Sequence, residues 1–323
     1  AIGTLVGEEN RGLEYMFIMM NAARFNVGLE GLGDAERAYQ RAVGYARDRV
    51  QGTEVGVRGG PKVPIIRHPD VRRMLMSMRA RIEAMRALAY VTAAALDNAH
   101  QNPDGVARAQ AQAFADLMIP VVKGWGTESS IDIASLGVQV HGGMGYIEET
   151  GAAQHLRDAR ITTIYEGTTA IQANDLVGRK TARDGGQTPK AIAVQIEATE
   201  AELLKKGSAD AVAVAKRLKA AREAFVDVVN FVAGNTKASP NAVFAGSVPY
   251  LMLAGNLMAG WQLARALLVA QDELKAGVDA GFMKAKIITA RFYADHLLSK
   301  APGIRDSIVD GADSVTAMAL DAF

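Results

Sequence analysis

The strongest signals in the chain lie in one stretch, LGVQVHGGMGYIEETGAAQHLRDARITTIYEGTTAIQANDLVGR, at residues 136–179. The stretch leaves a helical pattern, crosses a glycine-rich connection at 141–151, resumes a short helix, and reaches the segment IYEGTT at 164–169. It contains neither the alternation of β-branched residues nor the turn pairs that mark β-hairpins. The pattern therefore indicates helices joined by loops.

Helical spacing extends to both sides of this stretch. Upstream, apolar residues recur every three or four positions over 32–50, 70–100 and 106–140, with a loop at 53–64 and a turn at 102–105. We expect Pro120 and Gly124 to kink the third helix or to split it in two. Downstream, helices are predicted near 189–206, 208–234, 249–276 and 280–300, with the longest break at 235–247, NTKASPNAVFAGS.

These elements together predict an all-α fold. At about 150 residues per domain, a chain of 323 residues makes roughly two units. The DGGQT loop at 184–188 is the clearest interruption between them. We therefore predict one helical domain over 1–184 and a helical extension over 185–323.

The composition excludes several classes of protein. Lys and Arg number 36 against 35 Asp and Glu, a net charge of +1 that argues against binding nucleic acid or anchoring to a membrane surface. The absence of Cys excludes disulfide scaffolds, thiolate nucleophiles and iron–sulfur clusters, and favours a reduced, cytoplasmic compartment. The five His form neither an HxxxH nor an HExxH set, so we expect no metal site.

One uncharged run, 238–264, is longer than the roughly 20 residues that a bilayer requires. Polar residues interrupt it, among them Asn241, Asn256 and Gln262. A loop leading into a buried helix that starts near Pro249 fits this pattern better than a membrane span.

A single carboxylate, Glu166, lies between apolar Ile164 and Tyr165 and the residues that begin the next helix, Gly167 and Thr168. Apolar surroundings raise the pKa of a carboxylate, which suits a general base near neutral pH. The alternative is an acidic residue that the helix dipole favours, with the Thr168 hydroxyl as the cap. The residues alone leave both interpretations open.

Two further features are compatible with anion binding. The loop QVHGGMG, 139–145, offers backbone N–H groups with little side-chain bulk, as close approach to a phosphate requires, although glycine loops also simply connect helices. Arg24 and Arg49 could each clamp a phosphate or form local ion pairs.

These pieces in combination resemble the flavin-dependent acyl-CoA dehydrogenases. That family carries a Gln-x-x-Gly-Gly-x-Gly loop, an Arg-Asp-Ala/Ser-Arg/Lys stretch and a Tyr-Glu-Gly-Thr segment at this spacing. The resemblance covers about residues 1–180 and implies the family's C-terminal domain, a four-helix bundle. The later segments NLMAGWQLARALL and FMKAKIITARFYADHLL resemble the helical tail of the long bacterial branch that includes 3-methylmercaptopropionyl-CoA dehydrogenases.

The resemblance implies FAD-dependent oxidation of an acyl-CoA thioester to a trans-2-enoyl-CoA. Glu166 matches the base that takes the α-proton, and its backbone N–H would help to hold the thioester carbonyl. In a subset of relatives the base lies beside Arg24, where this chain has Ala23. The implied substrate contacts are Asn21, Arg24 and Gly167, and the implied flavin contacts are Arg49, which reaches the FAD of a neighbouring subunit, Gln139, His141, Gly142, Gly143 and Thr168.

The resemblance also carries expectations about the whole protein. Family members have an N-terminal helical domain and a middle β domain, so this chain is expected to be the C-terminal part of a longer enzyme and inactive alone. The implied partners are an acyl-CoA substrate, electron-transfer flavoprotein and further copies in a homodimer or homotetramer. Three alternatives stay open: an acyl-CoA oxidase, a noncatalytic DNA-binding flavoprotein relative, and a helical assembly module.

Overall fold

The computed structural model describes all residues, 1–323, and confirms the all-α prediction: 80% of the chain is helical and no strand forms. An isolated β-bridge joins Val50 and Pro64. The α-helices are α1 Gly12–Asp48, α2 Pro69–Gln101, α3 Gly105–His141, α4 Gly143–Tyr146, α5 Ala152–Thr162, α6 Thr169–Val177, α7 Gln187–Lys206, α8 Ala209–Asn235, α9 Pro240–Ala245, α10 Ser247–Lys275, α11 Ala280–His296, α12 Ala301–Val309 and α13 Ala312–Val315.

Helices α1 and α3 run side by side in the same direction. Gly28 of α1 faces Val122 of α3, and further along both helices Ala38 faces Gly137. Helix α2 runs in the opposite direction against both. Helices α5 and α6, joined by a loop, pack across this group, and α6 also contacts α10. The C-terminal ends of α1 and α3 therefore lie at the same end of the bundle.

The sequence predicted a kink or a split at Pro120 and Gly124, and α3 does not split. It is one helix of 37 residues with Pro120 inside it. Pro120 and Gly124 are both buried, and a Cβ at position 124 would lie 2.5 Å from the Leu251 side chain of α10. Packing on several sides of α3 offsets the loss of a helical hydrogen bond at proline, a cost of roughly 3 kcal/mol.

Helix α10 joins the C-terminal region to the bundle. At Gly255 it comes so close to Trp125 of α3 that a Cβ would lie 2.0 Å from the indole Cγ, so only glycine fits there. The Trp125 indole N–H donates to the Asn256 side chain at 2.9 Å. One hydrophobic core of 55 buried residues includes side chains from both sides of the 184–188 loop. The division into 1–184 and 185–323 stays a prediction, and both parts contribute side chains to this core.

The C-terminal region departs from the predicted elements in three places. The predicted break at 235–247 contains the short helix α9, and α10 begins at Ser247, two residues before Pro249. Helices α12 and α13 were not predicted, because they are too short to show a period. Trp261 is a core residue, 6% exposed, and its indole N–H donates to Thr199 at 2.8 Å. None of the helices has the length and apolar character needed to cross a membrane.

Candidate active site

The candidate base lies in a six-residue segment between α5 and α6, residues 163–168, which we call the Glu166 loop. Thr168 caps α6, because its hydroxyl accepts the Ile171 N–H at 3.3 Å. Glu166 and Gly167 both have positive φ, at 53° and 89°. Positive φ is rare for a residue with a Cβ, and it persists only where the surroundings hold it in place.

Two fully buried side chains hold the backbone of the loop from below. The Lys123 ammonium of α3 donates to the carbonyl oxygen of Thr162 at 2.8 Å and to that of Gly167 at 2.7 Å. The Gln172 amide of α6 donates to the carbonyl oxygens of Glu166 at 3.4 Å and Gly167 at 3.2 Å. Both side chains have no exposed surface. The carbonyls of Glu166 and Gly167 therefore face the protein interior.

Two more contacts hold this region, one made by Tyr165 of the loop and one by Thr169, the residue that follows it. The Thr169 hydroxyl donates to the Glu128 carboxylate of α3 at 2.5 Å. The Tyr165 hydroxyl donates to the Glu30 carboxylate of α1. Burial, and next the Glu30 carboxylate, raise the pKa of Tyr165 to about 12, so its hydroxyl keeps its proton at neutral pH.

The outer side of the loop presents unpaired donors. The backbone N–H groups of Glu166, Gly167 and Thr168 donate to no acceptor in the chain. Because a peptide group is planar, inward carbonyls at Glu166 and Gly167 turn the N–H groups of Gly167 and Thr168 outward. Free backbone donors beside a carboxylate suit recognition of a carbonyl oxygen.

The expected apolar enclosure of Glu166 is not found within this chain. The Glu166 side chain is exposed. Its apolar neighbours Ile161, Ile164 and Ile171 are themselves 46–53% exposed, because no element of the chain packs over the loop. The apolar character expected from the sequence is present as an uncovered surface next to the acid.

Arg24 lies beneath this region, on α1. Its side chain is 6% exposed and its guanidinium lies 3.4 Å from the Asp175 carboxylate of α6, while its Nε has no partner. Burial, with a smaller effect from the positive charge of Arg24, lowers the pKa of Lys123 to about 8. Glu128 and Glu166 act in the opposite direction. Lys123 therefore stays charged at neutral pH, and Arg24 is a locally paired arginine.

Asn21 occupies a different position from the rest of the predicted substrate contacts. It lines a cavity of about 580 Å³ between α1, α2 and α3. The Glu166 loop contributes no residue to this cavity. The other lining residues are Ile18, Ala22, Leu96, Asp97, His100, Gln112, Asp116 and Ile119.

Five predicted flavin contacts lie together at the C-terminal ends of α1 and α3, which we call the glycine end. The His141 ring stacks on Tyr45 with centroids 4.4 Å apart, and its Nδ1 lies 2.7 Å from the Gly137 carbonyl oxygen. Burial lowers the pKa of His141, which favours the neutral ring. The other four members are exposed, and they are Arg49, Gln139, Gly142 and Gly143.

The two groups of candidates are far apart in one copy of the chain. Arg24 and Arg49 both belong to the α1 segment, and at 1.5 Å per residue they are separated by about 37 Å along the axis. The structure thus brings Glu166, Gly167, Thr168 and Arg24 together and places the glycine end elsewhere. No group of three or more His, Asp or Glu side chains is arranged to hold a metal ion.

Sequence patterns do not point to Glu30, Glu128 or Gln172, whose contacts depend on how the helices pack. Lys123 does leave a signal, since it is the single charge in the run IPVVKGWG, 119–126. A lone lysine inside an apolar stretch indicates either an exposed edge or a buried charge with dedicated partners.

Two family profiles match the chain. The profile described as "Acyl-CoA dehydrogenase, C-terminal domain" matches residues 10–180, which include every predicted site residue. The profile described as "Acetyl-CoA dehydrogenase C-terminal like" matches residues 192–319.

Two curated relatives resemble nearly the whole chain. A 3-methylmercaptopropionyl-CoA dehydrogenase from Ruegeria pomeroyi is 53% identical over 99% of this chain and 54% of its own length. A broad-specificity linear acyl-CoA dehydrogenase, FadE5 of Mycobacterium tuberculosis, is 36% identical over 95% of this chain and 52% of its own length. The chain thus spans about half the length of these relatives.

A solved structure shares the fold across the chain. An acyl-CoA dehydrogenase from Bacillus anthracis, complexed with FAD, superposes with a TM-score of 0.74 and 20% identity, over 98% of this chain and 55% of that one. At this identity the likeness concerns the fold alone.

Proposed function

Because the chain belongs to the acyl-CoA dehydrogenase family, we propose that it is the C-terminal half of an FAD-dependent enzyme that oxidises an acyl-CoA thioester to its trans-2-enoyl-CoA. The observation that carries the proposal is the Glu166 loop. There a carboxylate in a left-handed conformation stands beside unpaired backbone N–H groups, above two buried donors that hold the loop. The span of about half of the relatives' length supports assigning the remaining parts of the site to a longer protein.

Glu166 supplies the base in this proposal. Its carboxylate takes the proton from the α-carbon of the thioester, while a hydride leaves the β-carbon. The backbone N–H of Glu166 donates to the thioester carbonyl and stabilises the negative charge that develops there. Gly167 leaves space for the substrate next to the base, and Arg24 contributes positive charge from below.

The residues of the glycine end fit the anionic part of FAD. Arg49 is exposed and has no ion-pair partner, and no atom lies within 4 Å of where a Cβ would stand at Gly142 or Gly143. We propose that Arg49, Gln139, His141, Gly142 and Gly143 hold the diphosphate end, and that Thr168 contacts the flavin. When bound, FAD supplies the acceptor for the hydride.

The distance between the two ends supports a role for a second copy. A separation of about 37 Å along α1 places the glycine end outside the surroundings of Glu166 in the same chain. In a homodimer or homotetramer, the glycine end of one copy can complete the cofactor site of its neighbour. The proposed electron acceptor is electron-transfer flavoprotein.

An anaerobic absorbance titration of the full-length enzyme tests this function. Its bound FAD is mixed with 3-methylmercaptopropionyl-CoA, butyryl-CoA and palmitoyl-CoA in turn. We expect bleaching of the flavin by at least one thioester, with the matching enoyl-CoA as product. The 53% identity with the Ruegeria pomeroyi enzyme makes 3-methylmercaptopropionyl-CoA the first substrate to test.

The same preparation separates the alternatives. Peroxide formed in air, in step with the enoyl product and without an added acceptor, would favour an acyl-CoA oxidase. Reduction of electron-transfer flavoprotein would favour the dehydrogenase. A flavin that no thioester bleaches would contradict both, and would favour a DNA-binding relative or an assembly module.

A further inference from the structure

We propose that Lys123 is the positioning residue for Glu166: its ammonium ties both ends of the Glu166 loop to α3 and so fixes the carboxylate and the backbone N–H beside it. This inference rests on the proposed function, because it concerns how the base is held. Lys123 itself is beneath the loop and takes no part in the proton transfer.

The burial of Lys123 requires an explanation other than stability. Its side chain has no exposed surface, and it lies in α3 among buried Val121, Val122 and Trp125. Taking an ammonium out of water is costly unless it is paired, and an apolar side chain of similar length would fill the space without that cost. A charge at this position therefore indicates a specific task for its hydrogen bonds.

The two acceptors of Lys123 define the task. Thr162 is the last residue of α5, and Gly167 precedes the cap of α6. One ammonium donates to both carbonyls, at 2.8 and 2.7 Å, and so holds the two ends of the loop close to each other. Hydrogen bonds from a charged donor are about twice as strong as neutral ones, so this closure is a strong restraint.

The restraint acts on both sides of the strained residue. Glu166 has φ of 53°, a conformation that costs about 1–3 kcal/mol for a residue with a Cβ. Without the ammonium, only the Gln172 amide holds the Gly167 carbonyl, so the backbone of the loop is less restrained and Glu166 can relax toward negative φ. Both the carboxylate and the backbone N–H of Glu166 would then leave their positions together.

Three charged groups act on Lys123, and they come from three different elements. Arg24 approaches from α1, Glu128 from α3 itself and Glu166 from the loop. Glu128 also accepts the Thr169 hydroxyl, so α3 holds the loop at both ends through Lys123 and holds the residue that follows it through Glu128. Two side chains of α3 therefore hold the segment that contains the proposed base.

The main test compares Lys123→Met with a matched control in the full-length, FAD-loaded enzyme. Arg222→Met is the control, since Arg222 is another mostly buried cation, 13% exposed, that bonds Glu200 at 2.7 Å between α8 and α7. We expect Lys123→Met to lower kcat about 30-fold or more with KM changed less than about threefold, because the displaced carboxylate and backbone N–H act mainly in the transition state. Arg222→Met should lower the melting temperature and leave kcat, per bound FAD, unchanged.

An isotope effect separates misplacement of the base from a general loss of structure. With α-deuterated thioester, we expect the isotope effect on kcat to be larger in Lys123→Met than in wild type, because proton abstraction becomes slower relative to the other steps. Lys123→Arg keeps the charge and the donors, and it should recover at least about a tenth of wild-type kcat. A Lys123→Met enzyme with wild-type kcat and isotope effect would overturn the proposal.

A second variant covers the case in which Lys123→Met does not fold. Gln172→Leu removes the other donor to the Gly167 carbonyl without removing a charge. We expect kcat to fall about 3- to 10-fold with unchanged KM, and an unchanged kcat would overturn the proposal. Inactive wild type, or an active Glu166→Gln variant, would instead contradict the proposed function, so the two failures are distinguishable.

Discussion

The Glu166 loop and the connection at the glycine end are built in opposite ways. Both follow a helix, and both contain a glycine with positive φ, Gly167 at 89° and Gly142 at 62°. At Gly167 a Cβ would lie 2.8 Å from the Gln172 amide nitrogen, whereas at Gly142 no atom lies within 4 Å of it. The first loop is held by buried side chains, and the second exposes its backbone to solvent.

This difference matches the tasks that we propose for the two regions. A base must be held within a fraction of an ångström of its reacting position, and buried donors provide that precision. A loop that contacts the diphosphate of a cofactor needs accessible N–H groups and little bulk. The comparison predicts that changes beneath the Glu166 loop affect the chemical step, while changes at the glycine end affect cofactor affinity.

The largest expected effect concerns the pH dependence of stability. Burial lowers the pKa of Lys123 from its ordinary value of 10.5 to about 8, so between these pH values the unfolded chain binds more protons than the folded one. The burial penalty is complete below pH 8 and disappears toward pH 10.5, which raises wild-type stability across the window by up to about 3 kcal/mol. Lys123→Met should lack this rise. Chemical unfolding at several pH values measures the unfolding free energy of both proteins. The same dependence on pH in wild type and Lys123→Met would contradict a lowered pKa for Lys123.

A smaller effect is expected for Gly167→Ala. The added Cβ meets Gln172 and Ile171 at a residue with positive φ, so we expect a loss of about 2 kcal/mol in unfolding free energy and a fall in kcat of about 10- to 100-fold. Gly185→Ala is the matched control, with φ of 67° and no atom within 4 Å of its Cβ position. Gly185→Ala should lose about 1 kcal/mol of unfolding free energy and keep the wild-type kcat. Equal loss of turnover in both variants would mean that the Glu166 loop is not specially held.

At the glycine end, Arg49→Ala should weaken FAD binding about 10-fold, or roughly 1.4 kcal/mol, by removing a charged donor to the cofactor. Flavin reduction by substrate at saturating FAD should stay at the wild-type rate. Arg47→Ala, an exposed arginine in the last turn of α1, serves as the control and should leave the FAD dissociation constant unchanged. Normal FAD affinity in Arg49→Ala would contradict the proposed contact between Arg49 and the cofactor.

The smallest effect is expected for Tyr165→Phe, which removes the hydroxyl bonded to Glu30. Because that bond is partly exposed, its loss should cost no more than about 1 kcal/mol of stability. Tyr146→Phe, at a tyrosine that is 84% exposed, should cost nothing measurable in thermal unfolding. If Tyr165→Phe lost several times more unfolding free energy than this, the Tyr165–Glu30 hydrogen bond would contribute more to holding the loop than we propose.

Periodicity predicted the long helices well because their apolar stripes are long. The helix expected at 70–100 is found at Pro69–Gln101, and that expected at 208–234 is found at Ala209–Asn235. A kink or a split was predicted for α3, and the split was wrong, because a proline rule considers local hydrogen bonds and not the packing that surrounds Pro120. Short helices such as α9 and α13 contain too few residues to show a period.

The residue pattern pointed to the site where its members are neighbours in the chain, and the distant Arg24 was indicated by the family resemblance. Glu166, Gly167 and Thr168 are adjacent, so one motif indicates all three. Lys123 precedes its two acceptors by 39 and 44 residues, and only the packing of α3 beneath the loop brings them together. The exposure of Glu166 could not be predicted either, because it depends on which elements of the chain reach the loop.

The central claim is that Glu166 removes the α-proton, and stopped-flow reduction of the flavin in Glu166→Gln measures this most directly. Gln keeps the size of the side chain and its backbone N–H, but it cannot accept the proton. We predict normal FAD content and a rate of flavin reduction by the best thioester that falls by about a thousandfold or more. A Glu166→Gln enzyme that binds FAD and is reduced at a rate close to wild type would contradict the account.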